Sequence, residues 1–318
     1  MLTFSRRIRF VCLLGCIAFS FATVFPAISR DNENTYGTSA YTIIDNESGA
    51  ILESFNGQKK RQIASLTKIA TAKIALDWAK TRNVDLSQWI VIPPGAARVG
   101  GVNPVGLYPG DAVSLRDLIY CALLQSDNIA SYAIAAHIGQ TIRTNDLSAV
   151  DSFVAQMNAL ARRLGMERTL FLNPTGMEPS EGALPYSTSD DLAKLTKYAM
   201  ADKGFQFYVS QKERKITIVR NLEQMQYLLR NTNELLGSGG VDGVKTGRTA
   251  NAGDCLIISS SQAPESREIN GRVYVTPRRV SVVILGASDR FFAGQQLLGR
   301  AWQLERNWAA AGRIKTNQ

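Results

Sequence analysis

Gly240-Val241-Asp242-Gly243-Val244-Lys245-Thr246-Gly247-Arg248-Thr249 is a β-type run, and two more follow it, Cys255 to Ser260 and Val280 to Ala287. Their counterparts lie at the other end of the chain. Ser39-Ala40-Tyr41-Thr42-Ile43-Ile44-Asp45 and Ala50-Ile51-Leu52-Glu53-Ser54 flank the turn-rich Asn46-Glu47-Ser48-Gly49 and read as a hairpin. Between these ends the period changes. From Ser65 to about Lys80, Ile69, Ala72, Leu76 and Ala79 recur at three- and four-residue steps, the helical pattern. Residues 81 to 200 read as mainly helical, broken by loops such as Pro93-Pro94-Gly95 and Asn173-Pro174-Thr175-Gly176, and Phe291 to Trp308 reads as a closing helix. Strands at both ends with helices between predict one sheet assembled from both termini, with the block at about 81–200 inserted. That is an α+β architecture, not a series of alternating βαβ units.

The 318 residues carry 36 Lys+Arg against 27 Asp+Glu and are 45% hydrophobic, too apolar for a disordered chain. His137 is the single histidine, so no HExxH motif and no multi-histidine metal site can form; no metal and no cofactor is expected. At the N-terminus Arg6, Arg7 and Arg9 precede the apolar run Phe10 to Phe25, and Ala27-Ile28-Ser29 follows as a small-x-small cleavage signal. These are the three parts of a secretory signal peptide over residues 1–29. The run is short for a spanning helix, which needs about 20 residues, although a retained anchor is the alternative. Twin-arginine export fails because Arg9 sits where an apolar residue is wanted, and Leu14-Gly15-Cys16 comes too early for a lipoprotein box. Removing the segment leaves 33 basic against 27 acidic residues, a charge of +6. That suits an anionic envelope polymer or lipid surface, hence an exported protein with peripheral membrane association as an option. The basic residues are scattered with no aromatic stripe, so nucleic acid is not expected. Cys121 and Cys255 both sit in apolar surroundings and read as buried free thiols. After Trp308 only a short polar tail, 309–318, remains, so neither a second β-rich domain nor a C-terminal membrane helix is expected.

Three clusters carry chemistry. Ser65-Leu66-Thr67-Lys68 puts a hydroxyl and an amine on one face of a helix start. Serine needs a base to become a nucleophile, and Lys68 is the nearest one; the positive helix end favours its neutral form. Alone, the pattern equally describes an N-cap with a solvated lysine. Ser126-Asp127-Asn128 offers a proton relay and an amide, or a plain helix cap. Gly243-Val244-Lys245-Thr246-Gly247-Arg248-Thr249 places glycines around Lys-Thr, so that an extended peptide can approach a sheet edge. A nucleotide P-loop would need glycine where Val244 stands, and a helix where Ala250-Asn251-Ala252-Gly253 reads as a turn. Ser126 lies 61 positions after Ser65, and Lys245 lies 119 after Ser126. In this order the three are the signature of serine β-lactamases and penicillin-binding proteins.

The chain resembles the low-molecular-weight penicillin-binding proteins, the D-alanyl-D-alanine carboxypeptidases, over about residues 36 to 305. The likeness extends to Gly165–Met177, to Tyr186-Ser187-Thr188-Ser189-Asp190-Asp191-Leu192-Ala193 and to Leu285-Gly286-Ala287-Ser288-Asp289-Arg290. The resemblance implies a penicillin-recognising fold, an antiparallel sheet flanked by helices, in a catalytic domain at 30–308. It implies cleavage of peptidoglycan stem peptides and acylation by β-lactams. By the same resemblance Ser65 is the nucleophile, Lys68 its base and Ser126 the proton carrier. Asn128 would hold the substrate amide and Lys245 with Thr246 the terminal carboxylate. The backbone amides of Ser65 and Arg248 would form the oxyanion hole. Gly247 belongs to the binding strand; Arg248, Thr249 and Arg290 are weaker carboxylate contacts, with a surface salt bridge the plainer role for Arg290.

Three rivals compete with the carboxypeptidase. Shorter members of the family include D,D-endopeptidases. A class A β-lactamase needs a deacylating glutamate; Glu167 is the contender, but Phe171 interrupts the expected Glu-x-x-Leu-Asn run, so Glu167 reads as a solvated loop residue. A non-catalytic penicillin sensor should lack part of the signature, and every residue of it is present.

Overall fold

In the computed structural model, residues 34–143 and 147–313 are described. The signal-peptide reading and residues 314–318 of the tail fall outside them. The first hairpin is β1 (Ala40–Asp45) and β2 (Ile51–Phe55). A 3₁₀ turn, Ala64–Thr67, leads into α1 (Lys68–Arg82). There follow β3 (Trp89–Val91), β4 (Ala112–Ser114), α2 (Leu115–Leu124), α3 (Asn128–Ile142), α4 (Ala149–Arg163), α5 (Ser189–Met200) and α6 (Lys203–Val209). The last third holds β5 (Glu213–Arg220), β6 (Glu223–Arg230), β7 (Val241–Thr249), β8 (Gly253–Ile269), β9 (Arg272–Ala287) and α7 (Arg290–Ala310).

The main sheet has the order β2-β1-β9-β8-β7, antiparallel throughout, so it is built from both ends of the chain as the sequence predicts. Its central strands carry unbroken apolar runs, Leu256 to Ile258 in β8 and Val282 to Leu285 in β9, because both faces are covered there. Ile43, Leu256, Ile258, Val282 and Ile284 pack with Leu297, Ala301 and Trp302 of α7. Their neighbours Ile44, Ile257, Val283 and Leu285 join the larger core with α1 to α6. The two-residue alternation of side chains thus divides one strand between two cores. Cys121 and Cys255 are buried free thiols.

Residues 81–200 are not purely helical. β3 and β4 lie within them and pair with β5 and β6 in a second sheet of order β3-β4-β5-β6. The β5–β6 hairpin, in a stretch the sequence reading leaves unassigned, turns at Asn221 and Leu222, both at positive φ (51° and 69°). β6 is exposed at most positions and β5 alternates only briefly, at the buried Ile216 and Ile218, so little apolar periodicity marks the pair. The closing helix extends to Ala310, two residues into the segment read as tail. Among the described residues, no helix is long and apolar enough to cross a membrane.

Candidate active site

The 3₁₀ turn that carries Ser65 is held in an uncommon shape. Ala64 lies at φ 47°, a left-handed conformation that residues with a side chain seldom adopt. The loop after Leu172 buttresses it. Asn173 Oδ1 accepts hydrogen bonds from Thr175 N (3.1 Å), Thr175 Oγ1 (2.8 Å) and Gly176 N (2.8 Å), and Thr71 Oγ1 donates to Pro174 O at 2.7 Å. Gly176, at φ 83°, is pressed so close that a Cβ there would stand 1.9 Å from the Ala64 carbonyl oxygen. Only glycine fits that contact.

Lys68, on the first turn of α1, is wholly buried. Its Nζ lies 2.8 Å from Ser65 Oγ, 2.7 Å from Asn128 Oδ1 and 2.8 Å from the Thr175 carbonyl oxygen. The carbonyl can only accept. Asn128 Nδ2 donates to the Gly100 carbonyl at 2.8 Å, which leaves its oxygen turned to Lys68 as an acceptor too. A neutral amine has two N–H groups for these two acceptors and one lone pair left over, facing the Ser65 hydroxyl. The surroundings favour that neutral form: burial pushes the Lys68 ammonium well below the usual lysine range, and the charge of Lys245 adds to it, against the opposing pull of Asp127.

Ser126-Asp127-Asn128 sits at a helix start rather than wholly on a loop. Asp127 caps α3, its Oδ1 accepting from Ala130 N at 2.9 Å, and Asn128 is the first helical residue. Burial raises the Asp127 carboxyl above its usual range, against hydrogen bonds from Ala130 and Val105 and the charge of Lys68. Ser126 is half-buried at φ 64°, the second positive-φ residue in the signature region. Asn128, expected to hold substrate, is the residue that orients Lys68.

The third cluster lies on β7, the edge strand of the main sheet. A Cβ on Gly247 would stand 3.1 Å from Ser65 N and 3.3 Å from the Ile63 carbonyl oxygen, so this glycine lets the strand and the serine turn meet. Lys245 is buried, and its ammonium is pushed down to about 7 by burial and by the guanidinium of Arg290. It is therefore a titrating group at neutral pH, not the fixed cation the motif suggests. Thr246 Oγ1 lies 2.6 Å from Thr232 Oγ1. Arg248 is exposed, 3.5 Å from Asp254. Thr249, read as a carboxylate contact, instead gives its hydroxyl to Glu178 Oε1 at 2.5 Å. Arg290 is no surface salt bridge: mostly buried, it donates Nη1 to the Gly247 carbonyl at 2.8 Å and supports the strand.

His137 packs against Trp78, ring centroids 5.8 Å apart, and is not among the partners of Ser65 or Lys68. Glu167 is exposed, as expected. The groups the sequence reading misses are chiefly backbone ones, the Thr175 and Gly100 carbonyls, which no side-chain motif encodes. Glu178 is missed as well, since a single loop glutamate carries no spacing signal.

Ser65, Lys68, Asn128 and Gly247 thus converge on one place from the 3₁₀ turn, α1, α3 and β7, in a geometry able to activate a serine beside an edge strand. Comparisons with known proteins give the family and the fold. Residues 28–270 match the family model described as D-alanyl-D-alanine carboxypeptidase. The chain is 29% identical over 299 residues to the D-alanyl-D-alanine carboxypeptidase DacC of Escherichia coli K12, covering 91% of this chain and 67% of that one. It spans about two thirds of the length of the first curated relatives it matches, 67% and 63%. Among solved structures it is similar to the Streptomyces K15 DD-transpeptidase, with TM-score 0.69, 25% identity, and 86% and 97% of the two chains covered. It is also similar to ampicillin-bound penicillin-binding protein D2 of Listeria monocytogenes, with TM-score 0.65, 26% identity, and 84% and 97% covered.

Proposed function

This chain belongs to the D-alanyl-D-alanine carboxypeptidase family of serine peptidases, and we propose that it removes the terminal D-Ala from peptidoglycan stem pentapeptides through an acyl-enzyme on Ser65. The observation that carries the reading is the triple contact of Lys68, whose Nζ lies 2.8 Å from Ser65 Oγ while Asn128 Oδ1 and the Thr175 carbonyl oxygen accept from it at 2.7 and 2.8 Å, so that in its neutral form the amine turns its lone pair to the serine.

In this mechanism the stem peptide lies along β7 with its terminal carboxylate toward Lys245 and Thr246. Ser65 Oγ attacks the carbonyl carbon of the penultimate D-Ala while its proton passes to Lys68. The backbone amides of Ser65 and Arg248 take the oxyanion that forms. The C–N bond then breaks, the leaving amine takes a proton by way of Ser126, and an ester on Ser65 remains. Water, deprotonated by the same base, attacks the ester and releases the shortened peptide. A β-lactam enters the first half of the cycle and leaves a long-lived ester on Ser65; Glu167, the contender for a β-lactamase's deacylating glutamate, is exposed. The N-terminal segment directs export, so the domain works on the outer face of the membrane, in the periplasm or outside the cell.

Digestion of purified peptidoglycan with mass analysis of the fragments tests the reading. Pentapeptides shortened by one D-Ala are expected, and the activity is absent in Ser65→Ala. Conversion of crosslinked dimers to monomers, with pentapeptides untouched, would replace the carboxypeptidase by an endopeptidase.

A further inference from the structure

Glu178 stands where the catalytic mechanism has no use for it. Its Oε1 accepts from Thr249 Oγ1 and its Oε2 from Asn251 Nδ2, both at 2.5 Å. It ties the loop that buttresses Ser65 to the turn between β7 and β8. Each carboxylate oxygen keeps a further acceptor site. Among the described residues no cation pairs with Glu178; the nearby Arg248 and Arg290 both turn to Asp254, at 3.5 Å. A half-buried carboxylate at the end of the binding strand thus has its hydrogen-bond donors but no counter-charge.

The direction of the substrate says what meets it. With the terminal carboxylate at Lys245-Thr246 and the scissile carbonyl beside Gly247, the peptide's earlier residues run toward Thr249. Three extended residues at about 3.3 Å each reach about 10 Å. That is the distance along the strand from Thr246 to Thr249, so the residue before D-Ala-D-Ala arrives beside Glu178. We infer that Glu178 is a specificity-determining residue that selects stem peptides bearing a free cationic amine on the residue preceding D-Ala-D-Ala. The inference rests on the carboxypeptidase reading and deepens it by naming the donor class. The charge attracts the amine, and the oxygens left open on Glu178 accept its N–H groups.

Two donors test it, Nα-acetyl-L-Lys-D-Ala-D-Ala and the same peptide with the ε-amine also acetylated, with released D-Ala as the readout. Wild type should favour the free amine by about five- to tenfold in kcat/KM, the range between an exposed ion pair and a charge-assisted hydrogen bond. Glu178→Gln should bring the ratio close to one, and Glu178→Lys should invert it. Any loosening of the β7–β8 turn lowers both donors together and cancels in the ratio. A wild-type ratio near one, or a ratio unchanged in Glu178→Gln, overturns the inference while leaving the carboxypeptidase reading intact. Release from neither donor by wild type overturns that reading, and this inference with it.

Discussion

Helix α1 buries two lysines five positions apart, and the two ends of this stretch use burial in opposite ways. Lys68 is 0% exposed and Lys73 3%. Lys68 meets a hydroxyl, an amide oxygen and a carbonyl, all uncharged, with the charge of Lys245 against it. Lys73 makes ion pairs with Asp77 and with Asp202, the latter at 3.1 Å, and lies over the Tyr198 ring at 4.6 Å. Burial alone would lower the Lys73 ammonium as it lowers Lys68, but its hydrogen bonds to Asp77 and Asp202 outweigh it and raise the group above its usual range. Removal from water is thus common to both, and the neighbouring charge decides the sign. One lysine is made a base, and the other fastens α1 to the start of α6.

The sharpest way to break the contrast is to deny Lys68 its neutral form. Lys68→Arg keeps the charge but cannot release a proton near neutral pH. Acylation of Ser65 by penicillin, followed by intact-protein mass, should slow by about 10²- to 10⁴-fold, the usual contribution of a general base. Near wild-type acylation would mean that another group serves as base.

At the other end, Lys73→Met removes the charge and leaves Asp77 and Asp202 unpaired. Breaking a buried pair costs about 3–5 kcal/mol, and the partly exposed aspartates put this one near the lower value. The midpoint of thermal unfolding should fall by about 6 °C. Penicillin acylation below that temperature should stay within about twofold of wild type. A large loss of acylation would show that the two lysines are not independent.

The smallest effect is a pH slope. Lys245 titrates near 7 when folded and near 10.4 when unfolded, so between those values the unfolded chain holds the extra proton and stability rises with pH. From pH 7 to 8 this single group should add about 1 kcal/mol of stability, measured by urea unfolding, and Lys245→Met should remove that increment. Lys73 has the opposite sign: its contribution is complete below the unfolded value and is lost as pH rises through the folded one.

The main sheet was legible because its strands are apolar runs and its ends carry turn residues. The second sheet was not. β3 and β4 have three residues each, and β6 is exposed at most positions, so neither period nor composition sets them apart from loop. In the site, Ser65, Lys68 and the Lys245-Thr246-Gly247 strand could be read because a fixed spacing recurs with them. The orientation of Asn128 could not, since it depends on the Gly100 carbonyl, a backbone atom brought up by a loop 28 positions earlier. The partner of Thr249 was hidden for a similar reason: Glu178 is 71 positions away.

An unpaired strand at the rim of a sheet is ordinarily an aggregation hazard, since it offers its backbone to any passing chain. On β7 both ends of that rim are fastened, one by its backbone and one by a side chain. Asn233 Nδ2 donates to the Gly243 carbonyl at 3.0 Å, and the Thr249 hydroxyl donates to Glu178 at 2.5 Å. The stretch between them, Val244 to Arg248, measures about 16 Å at about 3.3 Å per residue. A neighbouring protein's strand would overrun it and meet the two fastened ends, whereas the last few residues of a peptide fit inside. The same brackets that shape the site therefore leave too short a rim for the chain to zip onto its own copies.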